Sequence, residues 1–335
     1  MCVDDAKYVH FQTDVNGKIY KNIIISVFFF ATNCHIDPET ETQEQNTVMA
    51  KPKKLRKKGA SQRASRRDGI GAGNLWLYGI HAVLAALGNP NRTIKRFALT
   101  PDTQAKLESE LAEITYETER KIVPDLIANN DLNELLPPGA VHQGIACLAS
   151  GLEEVYIEDI LTEVGLADRA AGKKDKEDWE FQQQGRDVIL ILDQVTDPQN
   201  VGAILRSAAA FGAKAVITTD RNSAQPTGSL AKAASGALEK IPYIGVTNLV
   251  RALEQVKEAG FWCYGLAGEG EKPISEALPE NGKIALIMGA EGTGMRRLTR
   301  EHCDMLVNLP TQESFGVLNV SSAAAVALYE ASRGK

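Results

Sequence analysis

The run Val188–Leu192, VILIL, most constrains what this chain can fold into. A continuous apolar segment of that length fits a strand covered on both faces, as in a parallel sheet. Five more strand candidates follow: AVIT, YIGV, FWCYGLA, KIALIMG and MLVNL. Helical stretches separate most of them. In NLVRALEQVKEAG, Thr247 is the expected N-cap and Gly260 the expected stop, and Leu249, Val250, Leu253 and Val256 share one face. Residues 187–335 therefore read as a parallel α/β domain. Ligands of such sheets bind beyond the carboxyl ends of the strands, so chemistry is expected in the loops that follow them.

Residues 75–150 read as a smaller α/β domain. LWLYG, IKRFALT, KIV and VHQGIACLAS are its strands; IHAVLAAL and QAKLESELAEI are its helices. It shows no obvious catalytic cluster. Residues 151–186 read as a linker: a short amphipathic segment, IEDILTEV, precedes the polar tract AGKKDKEDWEFQQQGR. Residues 49–74 hold a basic arm. Nine of residues 51–67 are Lys or Arg and none is acidic, with no apolar periodicity, so disorder is expected. The arm is either a phosphate-binding tail, using Lys53, Lys54, Arg56, Lys57, Lys58, Arg66 and Arg67, or a solubilising charge run. Residues 1–48 differ in character, with the stretch IIISVFFFA followed by ETETQEQNT. Translation starting at Met49 is the expectation, with 1–48 as an upstream extension. The alternative is a lineage-specific segment, and peptides mapped from before Met49 would overturn the expectation.

Composition narrows the function. A net charge of -6 excludes a uniformly basic nucleic-acid binder. Five scattered Cys without a CxxC pair exclude a disulfide scaffold and a ribbon-type zinc site, and suit a reducing cytoplasm. No apolar run is long enough to span a membrane. The five His form no metal spacing, so no metal is expected. GIGAG at 69–73 precedes a strand instead of following one, and neither a P-loop nor a GxSxG elbow occurs.

Three loops remain. After VILIL comes DQVTDPQNVGAILRSAAAFGA, where Gly202 and the Ala residues allow close backbone approach. Arg206 there is either a buried-side functional residue or a surface Arg on an Ala-rich helix. After KIALIM comes GAEGTGMRRLTREHCD, with Gly289, Gly292 and Gly294 around Glu291; it is a ligand loop or a connector. After MLVNL comes PTQESFGVLNVSSAAAVALYEASR, where Asn319 and Ser321 open a small-residue helix able to pack tightly on the sheet or on a partner subunit.

In this order and spacing, DPQNVGAILRSAAAFG, MGAEGTGMRRLTREHCD and LPTQESFGVLNVSSAAAVALYEA resemble the three motifs of the SpoU/TrmH family of RNA ribose 2'-O-methyltransferases. YGIHAV and GAVHQGI in the small domain are similar to the bacterial 23S rRNA guanosine-2'-O-methyltransferase branch. The resemblance covers about Leu75 to Arg333. It implies a SPOUT-type, trefoil-knotted domain using S-adenosylmethionine, a homodimer with a shared active site, and a small ribosomal-protein-like domain that helps hold large-subunit ribosomal RNA. Gly289, Leu309 and Leu318 match the family's cofactor-contacting positions; Asn200, Arg206, Glu291 and Asn319 match its polar catalytic positions. By that resemblance the amides position groups and Glu291 fixes Arg206 or the loop geometry. Arg206, normally protonated, orients the ribose hydroxyl or a phosphate. Val317 departs from the family, which commonly has Ser before Leu-Asn. Transfer RNA or another rRNA site as substrate, and RNA binding without catalysis, are the alternatives.

Overall fold

A computed structural model describes residues 11–13, 19–21, 73–121, 123–171, 186–312 and 318–333. The basic arm with its seven named Lys and Arg residues lies outside them, as does Val317. Near the N-terminus, β1 (Phe11–Thr13) pairs antiparallel with β2 (Ile19–Lys21).

The smaller sheet has the order β3-β6-β4-β5. It comprises β3 (Asn74–Tyr78), β4 (Ile94–Leu99), β5 (Asp125–Leu126) and β6 (Ile145–Ser150), with β6 antiparallel to β3 and β4. Helices α1 (Ile80–Gly88), α2 (Pro101–Lys106), α3 (Glu108–Thr118) and α4 (Asn129–Leu135) connect the strands. Three expectations are corrected here. The helix expected over QAKLESELAEI divides at Leu107, whose side chain turns into the core. Of KIV, the described residues Lys121 and Val123 lie in no strand: Val123 is exposed, Pro124 has no amide hydrogen to give a ladder, and pairing to β4 begins at Asp125. The last strand starts at Ile145 because Gln143 and Gly144 both take positive φ (56 and 78), making His142–Gly144 a turn.

The larger sheet is parallel throughout and seven-stranded, in the order β11-β13-β10-β12-β7-β8-β9. Its strands are β7 (Arg186–Asp193), β8 (Ala215–Thr219), β9 (Tyr243–Val246), β10 (Trp262–Leu266), β11 (Lys272–Pro273), β12 (Gly282–Gly289) and β13 (Met305–Asn308). The continuous apolar pattern of VILIL is explained by its place near the middle, between β12 and β8. Strand periodicity sends alternate side chains to opposite faces. Val188, Leu190 and Leu192 enter one core, whereas Ile189 and Ile191 enter another.

The first core is shared with α6 (Pro198–Ala210), α7 (Gly228–Ala233) and α11 (Val320–Ser332). The second is covered by α5 (Ile157–Ala171) and α8 (Leu249–Glu258). The expected linker over 151–186 therefore opens with a helix that belongs to the fold, burying Ile157, Ile160 and Val164 on the sheet. The N-cap of α8 is Asn248, whose Oδ1 accepts from Val250 N and Arg251 N at 3.1 and 3.3 Å. Thr247, the expected cap, instead donates its hydroxyl to Asp220 Oδ2 at 3.0 Å. Short helices α9 (Ile274–Ala277) and α10 (Arg297–Glu301) complete the connections.

The two sheets are fastened together by groups far apart in sequence. Arg92 donates through Nε and Nη2 to Glu239 Oε1 at 3.1 and 2.8 Å, and both side chains are buried. A Cβ on Gly228 would lie 2.2 Å from Trp76 O, so α7 meets β3 backbone to backbone.

Candidate active site

The ends of three strands deliver the motif residues. Asp193 ends β7, and Asp197 caps α6 by accepting from Gln199 N and Asn200 N, both at 3.2 Å, with Pro198 at the first helical position. This geometry sets Asn200 in the first turn of α6. Gly202 lets the helix approach α7: a Cβ there would lie 2.4 Å from Ala233 Cβ and 2.7 Å from its carbonyl carbon. β12 ends at Gly289, and the loop after it turns back on the strand through Ala290 N to Gly294 O and Gly294 N to Ala290 O. A Cβ on Gly289 would lie 2.1 Å from the carbonyl carbon of Gly294. That turn presents Glu291. Beyond β13, Asn319 caps α11, its Oδ1 accepting from Ser321 N and Ser322 N at 2.9 and 3.3 Å.

Asn200, Glu291 and Asn319 meet. Asn319 Nδ2 donates to Glu291 Oε1 at 2.6 Å and to Asn200 Oδ1 at 3.0 Å. Asn200 Nδ2 donates to the same Glu291 oxygen at 3.2 Å, and Val320 N donates to it at 3.3 Å. One carboxylate oxygen thus gathers donors from two other motifs, while Glu291 Oε2 has no hydrogen-bond partner among the described residues. The cluster is open to solvent, as a site for a large substrate requires.

Arg206 stands apart from the cluster. The buried side of α6 is Val201, Ile204, Leu205 and Ala208, and the helical phase places Arg206 outward, exposed and without an ion-pair partner among the described residues. Of the two readings of Arg206, a buried-side residue and a surface Arg on an Ala-rich helix, the structure shows the second. Glu291 fixes the loop amides, not Arg206. Leu309 is half-buried just past β13, and Leu318 is exposed before α11.

Sequence reading missed one pair. Asp193 is fully buried and accepts from Arg296 N at 2.8 Å and from Arg296 Nε at 2.7 Å. A carboxylate closing a buried apolar strand was the available signal. No His, Cys, Asp or Glu cluster suited to a metal occurs among the described residues. The site therefore offers exposed amides, a carboxylate, guanidinium groups and main-chain donors at strand ends. Such groups suit recognition of a polar, anionic ligand.

Comparison with known proteins identifies the family of both segments. Residues 187–329 match the model of the SpoU rRNA Methylase family, and residues 76–155 match that of RNA 2'-O ribose methyltransferase substrate binding. The 23S rRNA (guanosine-2'-O-)-methyltransferase RlmB of Salmonella typhi is 39% identical over 258 residues, which is 77% of this chain and 97% of that protein. Its counterpart from Pseudomonas putida is 40% identical over 258 residues, covering 77% and 95%. Among solved structures, the SpoU methyltransferase AviRb from Streptomyces viridochromogenes in complex with the cofactor AdoMet superposes with a TM-score of 0.56 at 20% identity, over 78% of this chain and 90% of that one. An rRNA methyltransferase from Sinorhizobium meliloti gives 0.58 at 19% identity, over 78% and 87%. With the motif residues gathered at the strand ends and both segments matched, the chain belongs to the SpoU rRNA methylase family.

Proposed function

We propose that this protein transfers the methyl group of S-adenosylmethionine to the 2'-oxygen of a ribose, that of a guanosine in 23S rRNA. The observation that carries this reading is the Asn200–Glu291–Asn319 cluster, which ties three motif loops together in a chain matching its RlmB relatives over both segments.

The cofactor fits the residues present. Gly289 packs against the backbone of Gly294 and Met295, so this strand end would offer a ligand main-chain groups, and Leu309 and Leu318 would supply apolar contacts. S-adenosylmethionine would supply an electrophilic methyl on a sulfonium. The chain's part is to orient and to stabilise. The ribose hydroxyl is a weak acid and must be presented in line while its proton departs. Arg206, exposed and always charged, holds that hydroxyl or an adjacent phosphate. Asn200 and Asn319 position polar groups with their amides, and Glu291 holds both amides in register.

The organisation proposed around this site is as follows. Residues 75–150 hold substrate RNA, residues 187–335 carry the reaction, and the 49–74 arm adds sequence-independent phosphate contacts. A homodimer is supported by the exposed apolar residues Val326 and Tyr329 on α11 and Leu318 just before it. The knot is supported by the return of α11 onto α6 and the central strands after β13 has paired at the far side of β10. Free Cys147, Cys263 and Cys303 support a reducing cytoplasm. No helix among the described residues is long and apolar enough to cross a membrane.

The test is to incubate the full chain with labelled S-adenosylmethionine and unmodified 23S rRNA, then map 2'-O-methyl groups. A single modified guanosine is expected. Incorporation into transfer RNA alone would move the substrate, and no incorporation would leave an RNA-binding module. Arg206→Ala is expected to abolish transfer with cofactor affinity nearly intact; full activity would remove Arg206 from the mechanism. Deleting residues 49–68 is expected to weaken RNA binding and flatten its salt dependence, and an unchanged slope would exclude the arm.

A further inference from the structure

We propose that Arg296 anchors an RNA phosphate beside the reacting ribose and that Asp193 is its positioning residue; this deepens the methyltransferase reading and rests on it. Asp193 is fully buried at the end of β7, directly opposite Gly289 of β12 in the strand register. A buried carboxylate is expensive unless it is paired and hydrogen-bonded. Asp193 answers this by accepting from Arg296 twice, once from the backbone N and once from Nε.

Closing the loop needs only the backbone half of that contact. The side-chain half does something else. Holding a guanidinium by Nε restrains its plane and leaves its end-on edge, one N–H of Nη1 and one of Nη2, unused by Asp193. Neither has a hydrogen-bond partner among the described residues, and the Arg296 side chain is 45% exposed. The result is an oriented pair of donors at the surface, a geometry that matches the oxygens of a phosphate.

The position is the catalytic one. Arg296 closes the loop that carries Glu291, and Asp193 opens the connection that carries Asn200. The same two loops are joined by Asn200 and Glu291 further out and by Asp193 and Arg296 at their base. In RNA the 2'-oxygen neighbours the 3'-phosphate. Negative charge growing on that oxygen during methyl transfer is opposed by the phosphate, and a fixed guanidinium on the phosphate offsets this.

Arg296→Lys separates the anchor from a simple loop fastener. A lysine ammonium can reach Asp193 and preserve the pair, but has no second, oriented set of donors to offer. In the full chain this variant is expected to keep its melting temperature and its S-adenosylmethionine affinity. Against an unmodified 23S rRNA transcript, the slope of log affinity against log salt should fall by about 0.7–0.9, the loss of one phosphate contact. The KM for RNA should rise on the order of tenfold, as for one lost charge-assisted contact. Asp193→Asn, which leaves the guanidinium but loosens its hold, should raise that KM with the salt slope largely kept. Arg296→Gln serves as a second variant where the lysine form does not fold.

An unchanged salt slope with a lower melting temperature would reduce the pair to a loop fastener and overturn the proposal. Loss of S-adenosylmethionine affinity with RNA binding intact would place the guanidinium on the cofactor's carboxylate and overturn it too. If the wild-type protein methylates no RNA, the functional reading falls, while the comparison of RNA-binding slopes still decides the anchor.

Discussion

Asn319 does two jobs with two ends of one amide. Its Oδ1 caps α11 and its Nδ2 joins Glu291 to Asn200. Aspartate can do the first and not the second. Asn319→Asp should keep the cap and hold the melting temperature, because an acidic cap also suits the positive end of the helix. It would place a second carboxylate where Glu291 now accepts a donor, pushing the loops apart. Methyl transfer should fall on the order of 100-fold, a typical result of misplacing catalytic groups. Asn319→Ala should lose both, with about 1 kcal/mol of stability gone as well. A melting curve and a single-turnover methylation assay on each variant check this; an Asp variant of full activity would show that the amide bridge is dispensable. At this scale Asn200, Glu291 and Asn319 were singled out by the resemblance of their motifs to the SpoU/TrmH family, and the structure brings the three together. The outward phase of Arg206 was not, because an Ala-rich helix has small residues on every side. Asp193 and Arg296 pair across 103 positions, a separation no local pattern reports.

Helices α6 and α7 touch through Gly202, whose missing Cβ is what lets Ala233 come close. Gly202→Val would drive a branched side chain into that backbone. Overpacking of this kind costs about 1–3 kcal/mol, and here it would also shift the first turn of α6 and Asn200 with it. Lower stability and lower kcat together are the expected outcome; unchanged kcat at reduced stability would separate the helix contact from the site. The turn before β6 carries a pH dependence of its own. His142 Nδ1 accepts from Gly144 N at 3.0 Å while Nε2 lies 3.0 Å from Asn133 Oδ1, an arrangement that suits the neutral ring. Burial, with the Lys232 charge second, holds its pKa below the ordinary 6.5. The unfolded chain then takes up a proton on this residue before the folded protein does. Its contribution is therefore intact above about pH 6.5 and is lost as pH falls below that value. Denaturant titrations from pH 7.5 to 5 should show this loss, and His142→Gln should remove that component of the pH dependence. The strands with long apolar runs and the longer helices were legible, since apolar runs and periodicity are local; short elements such as α4, α7, α9, α10 and β11 were not, because they carry too few residues to show a period. Caps and ends were less so: Thr247 and Asn248 are both good capping residues, and only the partner Asp220 decides which is used.

The placement of the small sheet on the large one belongs to the whole molecule, and no segment announces it. It rests on Gly228 against Trp76, and on Gly236, where a Cβ would lie 2.7 Å from Ala85 Cβ. To these contacts the Arg92–Glu239 pair adds an ion pair whose partners are 147 residues apart in sequence. Arg92 Nη1 also donates to Ser150 O at 2.6 Å, and Asn89 Nδ2 donates to the second Glu239 oxygen at 2.7 Å. Each guanidinium nitrogen of Arg92 and each carboxylate oxygen of Glu239 thus has a partner, which is the condition under which a buried ion pair is tolerable. Arg92→Ala would strand the Glu239 carboxylate in an apolar contact, at a cost of about 3–5 kcal/mol. The loss falls on the junction, not on either core, so unfolding should change from one transition to two, with the smaller sheet melting first. RNA-dependent KM should rise in the same variant, because the substrate-holding segment would no longer sit at a fixed distance from the motif loops. Replacing both partners by apolar residues, Arg92→Met with Glu239→Leu, removes the stranded charge and should recover much of the stability. A double variant as unstable as Arg92→Ala alone, by calorimetry, would show that the hydrogen bonds to Ser150 and Asn89 hold the junction and that the charge pair is incidental to it.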